Sequence, residues 1–515
     1  MPLRSDLKTA STITSADRSP GETPAEKDVL RSVREFFSAH WLLALGISAL
    51  VLIPCFWHRH IEAGDLGSHV YNAWLAQLIE HGQAPGLWLA HPWSNVLFDY
   101  LLSGLGRIFG LPVGEKISVS LAILIFFWGT FALVTAAARR APWFLVPAMA
   151  MVAYGWTFEL GFFNYYISLG LAFFALAIFW RGSGWERAAA ITFVPFIYLA
   201  HPLGLMWLVA AAGYVWMAER KQRPAHFQLL LFLAAIAGIF LVRAYLWTHF
   251  AVSRADEPLS IFHGGDQLLL FGNRYRIVQI LLGIFIAIAL ATDAIARRGD
   301  WKNVWRAYAI PLQLYLLVEV GVFLLPDGVR PANKPVALAL LTGRLTSVSA
   351  VLICCVLGAM LPRKWHLIAL AAIAMVFFSF LYQDTATVNR MEAHVERLVR
   401  TLPPNQRVMG SIHKPEDSRV LIQHILDRAC VGYCFSYGNY EPTSEVFRVR
   451  ARTGNHYVMT DPSDTASMEL GDYTVEAKDL PAYQVYQCSE DWTELCIRPL
   501  EEGEDNDRLG IHPDE

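Results

Sequence analysis

Asp65 and His69 are the residues of this sequence whose types and spacing best suit catalysis, and they follow the first apolar segment. Gly64 and Gly67 flank the aspartate, and glycine permits a sharp turn or the close approach of a second backbone or a ligand. A carboxylate there can act as a general base toward a hydroxyl group or bind a divalent cation. His69 shares the helical face of Asp65 if the following helix begins that early. The alternative is that Asp65 or Ser68 only caps this helix.

Polar side chains also interrupt the apolar segments further along the chain. Glu159, Asn164 and His201 lie at joins between such segments, and Arg344 lies inside one. Polar groups at membrane depth are costly and often functional. Arg344 therefore needs a counter-charge or a phosphate, unless its head group snorkels to the lipid surface. Arg330 and Lys334 are loop cations that could instead pair with lipid headgroups. The predicted substrate-binding residues, these two included, are His69, Glu159, Asn164, His201, Arg330, Lys334 and Arg344.

The composition is that of a membrane protein. Of the 515 residues, 55% are hydrophobic and 17% are charged, and the mean hydropathy is +0.35. Such a chain is too apolar for a soluble globular protein. The formal net charge of -3 argues against nucleic acid as a partner. Membrane lipids and small molecules are the expected partners.

Long apolar runs predict a polytopic α-helical membrane protein with about 11 transmembrane helices, because each span needs roughly 20 apolar residues. These runs are 41–57, 117–137, 143–158, 161–180, 188–201, 203–218, 229–249, 277–296, 307–326, 336–361 and 366–383. Short basic connections such as Arg139-Arg140 and Arg363-Lys364 indicate the cytoplasmic side. The N-terminus is then cytoplasmic, and the C-terminal part lies on the outer face. Pro202 favours two short helices, rather than one, over residues 188–218.

Changes in composition divide the chain into four parts. Residues 1–35 are predicted to be a disordered cytoplasmic tail, and residues 36–383 a transmembrane domain. Residues 384–500 are predicted to form a small exported α/β domain, and residues 501–515 an acidic disordered tail.

Local periodicity predicts shorter elements outside the membrane. Two helices, 68–81 and 96–109, are expected to lie in the membrane interface within the first external loop. In the exported domain the pattern predicts helices over 391–402 and near 418–428, and strands at 407–409, 447–450, 456–459 and 483–486.

Four cysteines fall in the exported domain. Two disulfides are the favoured interpretation, because such bonds persist in oxidising compartments. A zinc site is the alternative, although the spacings do not match a familiar ligand pattern. Three pairings are open for Cys430, Cys434, Cys488 and Cys496.

The chain resembles the GT-C superfamily of membrane glycosyltransferases. In architecture the resemblance covers about residues 40–383. In residues it rests on Gly64-Asp65-Leu-Gly-Ser-His69, on the following Tyr71-Asn-Ala-Trp74, and on Thr342-Gly-Arg344-Leu. The Trp-Trp-Asp signature of oligosaccharyltransferases is not found, so protein N-glycosylation is not indicated.

The resemblance implies transfer of a sugar from a polyprenyl-phosphate or polyprenyl-diphosphate donor. It implies that Asp65 is the general base or an acid that binds the acceptor, and that Arg344 binds the donor phosphate. No Asp-Glu pair occurs at Asp65, and Glu62 is the nearest acid, so no metal ligand is assigned. A divalent cation stays open as a cofactor.

The leading hypothesis is a bacterial inner-membrane glycosyltransferase that acts at the outer face on a lipid, protein or glycan acceptor. One alternative is a transporter or flippase of lipid-linked glycans, which would need polar groups near the middle of several spans; Glu319 is the main candidate. Another is a non-catalytic scaffold with an exported binding domain.

Overall fold

The computed structural model describes residues 29–219, 225–254, 264–332, 338–444, 446–452, 454–470 and 473–504. Most of the predicted N-terminal tail, most of the acidic tail and Lys334 lie outside the described residues. The helices are α1 Val29–Val51, α2 Leu66–Glu80, α3 Leu97–Phe109, α4 Leu111–Ala138, α5 Val146–Ala153, α6 Trp156–Glu159, α7 Phe163–Arg181, α8 Gly184–Ala189, α9 Val194–Ala200, α10 Pro202–Ala218, α11 Ala225–His249, α12 Arg276–Ala296, α13 Trp301–Leu324, α14 Leu341–Gly358, α15 Lys364–Val399, α16 Ile425–Cys430 and α17 Pro462–Leu470.

The chain is a multi-pass helical membrane protein. Among the described residues, 7 helices are long and apolar enough to cross a membrane, namely α4, α7 and α11 to α15. The apolar part of α1 and the whole of α10 are shorter apolar helices. The predicted spans 143–158 and 188–201 fall on short helical segments, α5 with α6 and α8 with α9. The total of about 11 spans stays a prediction.

A break at His201 separates α9 from α10, as the following proline predicts. The His201 backbone is extended, and its Nδ1 accepts a hydrogen bond from the Leu203 amide at 3.2 Å. The histidine thereby caps the helix that Pro202 begins.

The two helices of the first external loop form close to the predicted positions, as α2 and α3. Much of α2, however, is buried, including the polar Asn72. Asn72 Nδ2 donates to Asn439 Oδ1 at 3.2 Å, and the Tyr71 hydroxyl accepts from the Ser436 amide at 2.9 Å. The predicted exported domain therefore covers a polar side of α2 that the sequence pattern assigned to the membrane interface.

The C-terminal domain, for which export is a prediction, contains a sheet of four strands. The strands of the chain are β1 Leu87–Leu89, β2 Ala251–Ser253, β3 Gly328–Arg330, β4 Arg407–Ser411, β5 Phe435–Ser436, β6 Val449–Ala451, β7 Ala482–Gln487 and β8 Leu495–Pro499. The sheet order is β5-β4-β7-β8, with β4 parallel to both neighbours and β7 antiparallel to β8. Strand β6 pairs instead with β1 of the external loop, which ties the domain to the transmembrane part.

Three local predictions differ from the structure. The predicted helix 391–402 is the end of α15, a single helix of 36 residues that continues the last span. The helix predicted near 418–428 is reduced to α16. The strand predicted at 456–459 does not form, because Asn455 Oδ1 accepts from the Tyr457 and Val458 amides, both at 2.9 Å, and removes them from a strand ladder.

The exported cysteines form two disulfides, which confirms the favoured interpretation. Cys430 pairs with Cys434, and Cys488 pairs with Cys496. Four sulfurs in two separate pairs do not make a four-cysteine zinc site.

A buried arginine joins the exported domain to the membrane part. Arg428 Nη1 lies 3.2 Å from Glu392 Oε2, and Nη2 lies 3.7 Å from Glu115 Oε1 and donates to the Ile61 carbonyl at 3.0 Å. Breaking one partner of such a pair is costly, because the other charge stays buried. This contact holds α16 against α4, α15 and the segment that precedes α2, and so helps to set the position of the site described next.

Candidate active site

Asp65 begins α2, but its side chain does not cap the helix. The carboxylate makes no capping hydrogen bond, whereas the Asp65 amide donates to the Leu160 carbonyl at 3.1 Å. The Asp65 side chain therefore does not cap α2, unlike in the capping alternative. Its carboxylate is free to face a cavity.

The glycines beside Asp65 let two other backbones come close. A Cβ at Gly64 would lie 2.6 Å from the Leu160 carbonyl oxygen, and a Cβ at Gly67 would lie 2.1 Å from the His424 carbonyl oxygen. Real Cβ atoms do not tolerate such contacts. The two glycines thus place Asp65 between the turn after α6 and the segment before α16.

One cavity brings several of the predicted site residues together. Residues from α2, α7, α14 and the exported domain line it: Asp65, His69, Asn95, Gly161, Phe162, Phe163, Asn164, Tyr165, Arg344, Tyr440 and Phe447. A carboxylate and a guanidinium from widely separated helices therefore face the same space.

Arg344 lies in the first turn of α14 with its guanidinium over aromatic rings. The guanidinium carbon lies 4.1 Å from the centre of the Phe162 ring and 5.4 Å from that of Tyr165. Nη1 lies 3.4 Å from His201 Nε2, while Nε has no hydrogen-bond partner. Within the described part of the chain, no carboxylate forms an ion pair with Arg344, so its charge is available to an anion.

His69 and Asn164 are held by a residue that was not singled out as a site residue, Asp99. His69 Nδ1 lies 2.7 Å from Asp99 Oδ1, and Asn164 Nδ2 donates to Asp99 Oδ2 at 2.9 Å. Burial by itself would lower the pKa of His69, but Asp99, with help from Glu441 and Asp65, raises it to about 9. His69 is therefore a cation at neutral pH and adds positive charge to the cavity.

Burial raises the pKa of Asp65, and nearby cations oppose this rise. The opposing charges are, in order of size, His424, His69 and Arg344. Burial also raises the pKa of Glu441 to about 8. Burial therefore favours the neutral form of both acids, and the nearby cations oppose it.

A trio of possible metal ligands lies beside Asp65. Atoms of His69, Asp99 and Glu441 lie within 4.8 Å of one another. A ligating histidine must be neutral, whereas His69 is paired with Asp99 and has a pKa of about 9. A metal ion would have to displace the His69 proton here, and a divalent cation as cofactor stays a prediction.

Three predicted site residues that the structure describes, Glu159, Arg330 and His201, do not line this cavity. Glu159 is buried, its Oε2 has no hydrogen-bond partner, and burial with a nearby Asp384 raises its pKa well above the usual range. Arg330 is exposed at the end of β3. Lys334 lies outside the described residues, and His201 reaches the cavity only through Arg344.

The exported domain contributes residues that the sequence did not single out. His424 Nε2 lies 3.5 Å from Asp65 Oδ1, and Glu441 Oε1 lies 3.8 Å from His69 Nδ1. No local motif marks these residues, because their contacts depend on how the domain docks. Asp99 carried a weak signal, since it lies on a polar stripe of the predicted helix 96–109.

The charge on His69 should appear as a pH-dependent contribution to stability. Its pKa is raised from 6.5 to about 9 in the folded protein, so the contribution is complete below pH 6.5 and is lost as the pH rises through 9. We expect the difference in melting temperature between wild type and His69→Gln, measured in detergent, to shrink across this interval. A difference that stays constant would show that packing, not charge, is what His69 contributes.

Comparisons with known proteins find similarity only among solved structures. No protein-family model matches the chain, and no curated protein matches it significantly. The crystal structure of apo ArnT from Cupriavidus metallidurans is 13% identical with a TM-score of 0.45, covering 91% of this chain and 98% of that one. ArnT from the same organism bound to undecaprenyl phosphate is 11% identical with a TM-score of 0.47, covering 90% and 98%.

Proposed function

We propose that the chain is a GT-C glycosyltransferase that transfers a sugar from a polyprenyl-phosphate or polyprenyl-diphosphate donor to a hydroxyl acceptor. The observation that carries the proposal is that Asp65 and Arg344 line one cavity. A base for the acceptor and a cation for the departing phosphate are the two groups that such a displacement requires.

The proposed reaction assigns a separate role to each group. An Asp65 carboxylate oxygen accepts the proton of the acceptor hydroxyl while the hydroxyl oxygen attacks the anomeric carbon. The bond from that carbon to the phosphate oxygen breaks, and its electron pair stays on the phosphate. Arg344, which has no carboxylate partner among the described residues, stabilises the added charge. The ring stacking of Phe162 and Tyr165 on Arg344 holds the guanidinium in place.

We place the reaction at the outer face of a bacterial inner membrane. The short basic connections between the spans support a cytoplasmic N-terminus. The two disulfides support an exported C-terminal domain, since such bonds persist outside the cytosol. Tyr440 and Phe447 of that domain line the cavity together with residues of α7 and α14, and in the proposed reaction it takes a lipid donor from the membrane and a lipid, protein or glycan acceptor from the surface.

Glu319 favours the second candidate, a transporter or flippase, because it lies within the candidate span Val304–Leu324. Its Oε1 accepts a hydrogen bond from the Ser349 hydroxyl of α14 at 2.6 Å. This bond joins two adjacent helices and so also has a packing role. The cavity at Asp65 makes the transferase the stronger candidate.

Release of a labelled sugar from its lipid carrier separates these candidates. We expect purified protein in nanodiscs, given radiolabelled polyprenyl-linked sugars and a membrane extract as acceptor source, to move label from the donor lipid to a second product. A flippase would leave the label on the donor and move it only between leaflets of proteoliposomes. Label that stays on every phosphate and diphosphate donor would contradict the proposed function.

A further inference from the structure

We propose that His424 of the exported domain is a positioning residue for Asp65, held in place by Asp427 and Ser436, so that the exported domain completes the reaction centre. The proposal deepens the proposed function and rests on Asp65 being its base. It assigns to the domain a catalytic contribution beyond binding an acceptor.

The contacts form a chain of carboxylate, imidazole and carboxylate. His424 Nε2 lies 3.5 Å from Asp65 Oδ1, and His424 Nδ1 lies 2.9 Å from Asp427 Oδ2. The Ser436 hydroxyl donates to Asp427 Oδ1. All three residues of the exported domain are buried. An imidazole whose Nδ1–H is held by one carboxylate has a fixed ring orientation and presents its Nε2 to the other.

Backbone packing sets this geometry independently of the charges. Gly67, two residues after Asp65, leaves room for the His424 carbonyl, where a Cβ would approach to 2.1 Å. The Ser436 amide donates to the hydroxyl of Tyr71 on α2 at 2.9 Å. The same helix that begins at Asp65 is thus docked against both ends of the segment that carries His424, Asp427 and Ser436.

The chemical need for such a partner comes from the burial of Asp65. Burial raises the pKa of Asp65, and a protonated carboxyl group cannot act as a base. The charge of His424 is the largest influence that lowers this pKa. The other ionisable groups around Asp65 come from α2, α7, α14 and the exported domain, and they are His69, Tyr165, Arg344, Asp427, Tyr440 and Glu441.

The test is an infrared titration of the Asp65 carboxyl group, identified as the carbonyl band that Asp65→Asn removes. His424→Asn and His424→Gln should each move the titration midpoint of Asp65 to higher pH by about 1 unit or more, because an adjacent opposite charge has been removed. The acid limb of the pH–activity profile should move in the same direction, giving about a tenfold loss on the acid side. His456→Asn, at an exposed histidine of the same domain, should leave both unchanged.

The outcomes separate this inference from the proposed function. An unchanged Asp65 midpoint in a folded His424 variant overturns the inference, even if the wild type transfers sugar. A shifted midpoint in a wild type that releases no sugar would support the contact but contradict the function on which its catalytic meaning rests. Unfolding of both His424 variants would assign the residue a structural role and would also overturn the proposal.

Discussion

Replacing Asp65 with Asn should lower sugar transfer by about 10²- to 10⁴-fold, because the amide keeps the shape of the side chain but cannot accept the hydroxyl proton. The loss should fall on turnover at saturating donor. Folding should be little affected, since the Asp65 carboxylate makes no capping hydrogen bond to α2. The measurement is the initial rate of label transfer, normalised to the amount of folded protein.

Asp491→Asn is the matched control, because Asp491 is a fully exposed aspartate of the exported domain. Its rate should equal that of the wild type. A normal rate for Asp65→Asn at normal protein levels would remove Asp65 as the base, whatever the remaining cavity residues do.

Replacing Arg344 with Met should lower transfer by about 10²- to 10³-fold, because the departing phosphate loses the cation that stabilises it. Methionine can still cover the Phe162 ring, over which the guanidinium lies at 4.1 Å. Arg344→Lys should recover part of the activity, since it restores the charge but not the planar fork of donors. The donor concentration at half-maximal rate and the turnover rate should be measured separately for both variants.

Arg390→Met is the control for these arginine variants, because Arg390 is exposed on α15. It should transfer sugar at the wild-type rate. Wild-type turnover together with wild-type donor dependence in Arg344→Met would mean that the phosphate binds elsewhere, and the proposed orientation of the donor would then be wrong.

The local features of the site could be predicted from the sequence, because each depends on neighbouring residues. Glycines flanking Asp65 indicate a close approach, and the structure supplies two backbones there. An arginine within an apolar segment indicates an anion partner or a snorkelling side chain. The break before Pro202 follows from the restricted backbone of proline and of the residue before it.

The partners across the cavity could not be predicted, because they depend on how distant segments pack. His424 reaches Asp65 over 359 residues of sequence, the difference between the two positions. Asp99 reaches His69 from a second helix. Periodicity also gave a wrong prediction of a strand at 456–459, because the Asn455 side chain accepts hydrogen bonds from two backbone amides of this otherwise strand-like run. Likewise, the polar side of α2 is buried under a domain that periodicity alone cannot place.

In the proposed reaction Asp65 activates the incoming hydroxyl and Arg344 stabilises the departing phosphate, on opposite sides of the anomeric carbon. The most direct measurement is a structure of Asp65→Asn with a polyprenyl-phosphate sugar, which the variant should bind without turning it over. We expect the donor phosphate to lie against the Arg344 guanidinium, at roughly 2.7–2.9 Å from its nitrogens, with the anomeric carbon directed toward residue 65. A phosphate bound away from Arg344, or a sugar outside the cavity, would contradict it.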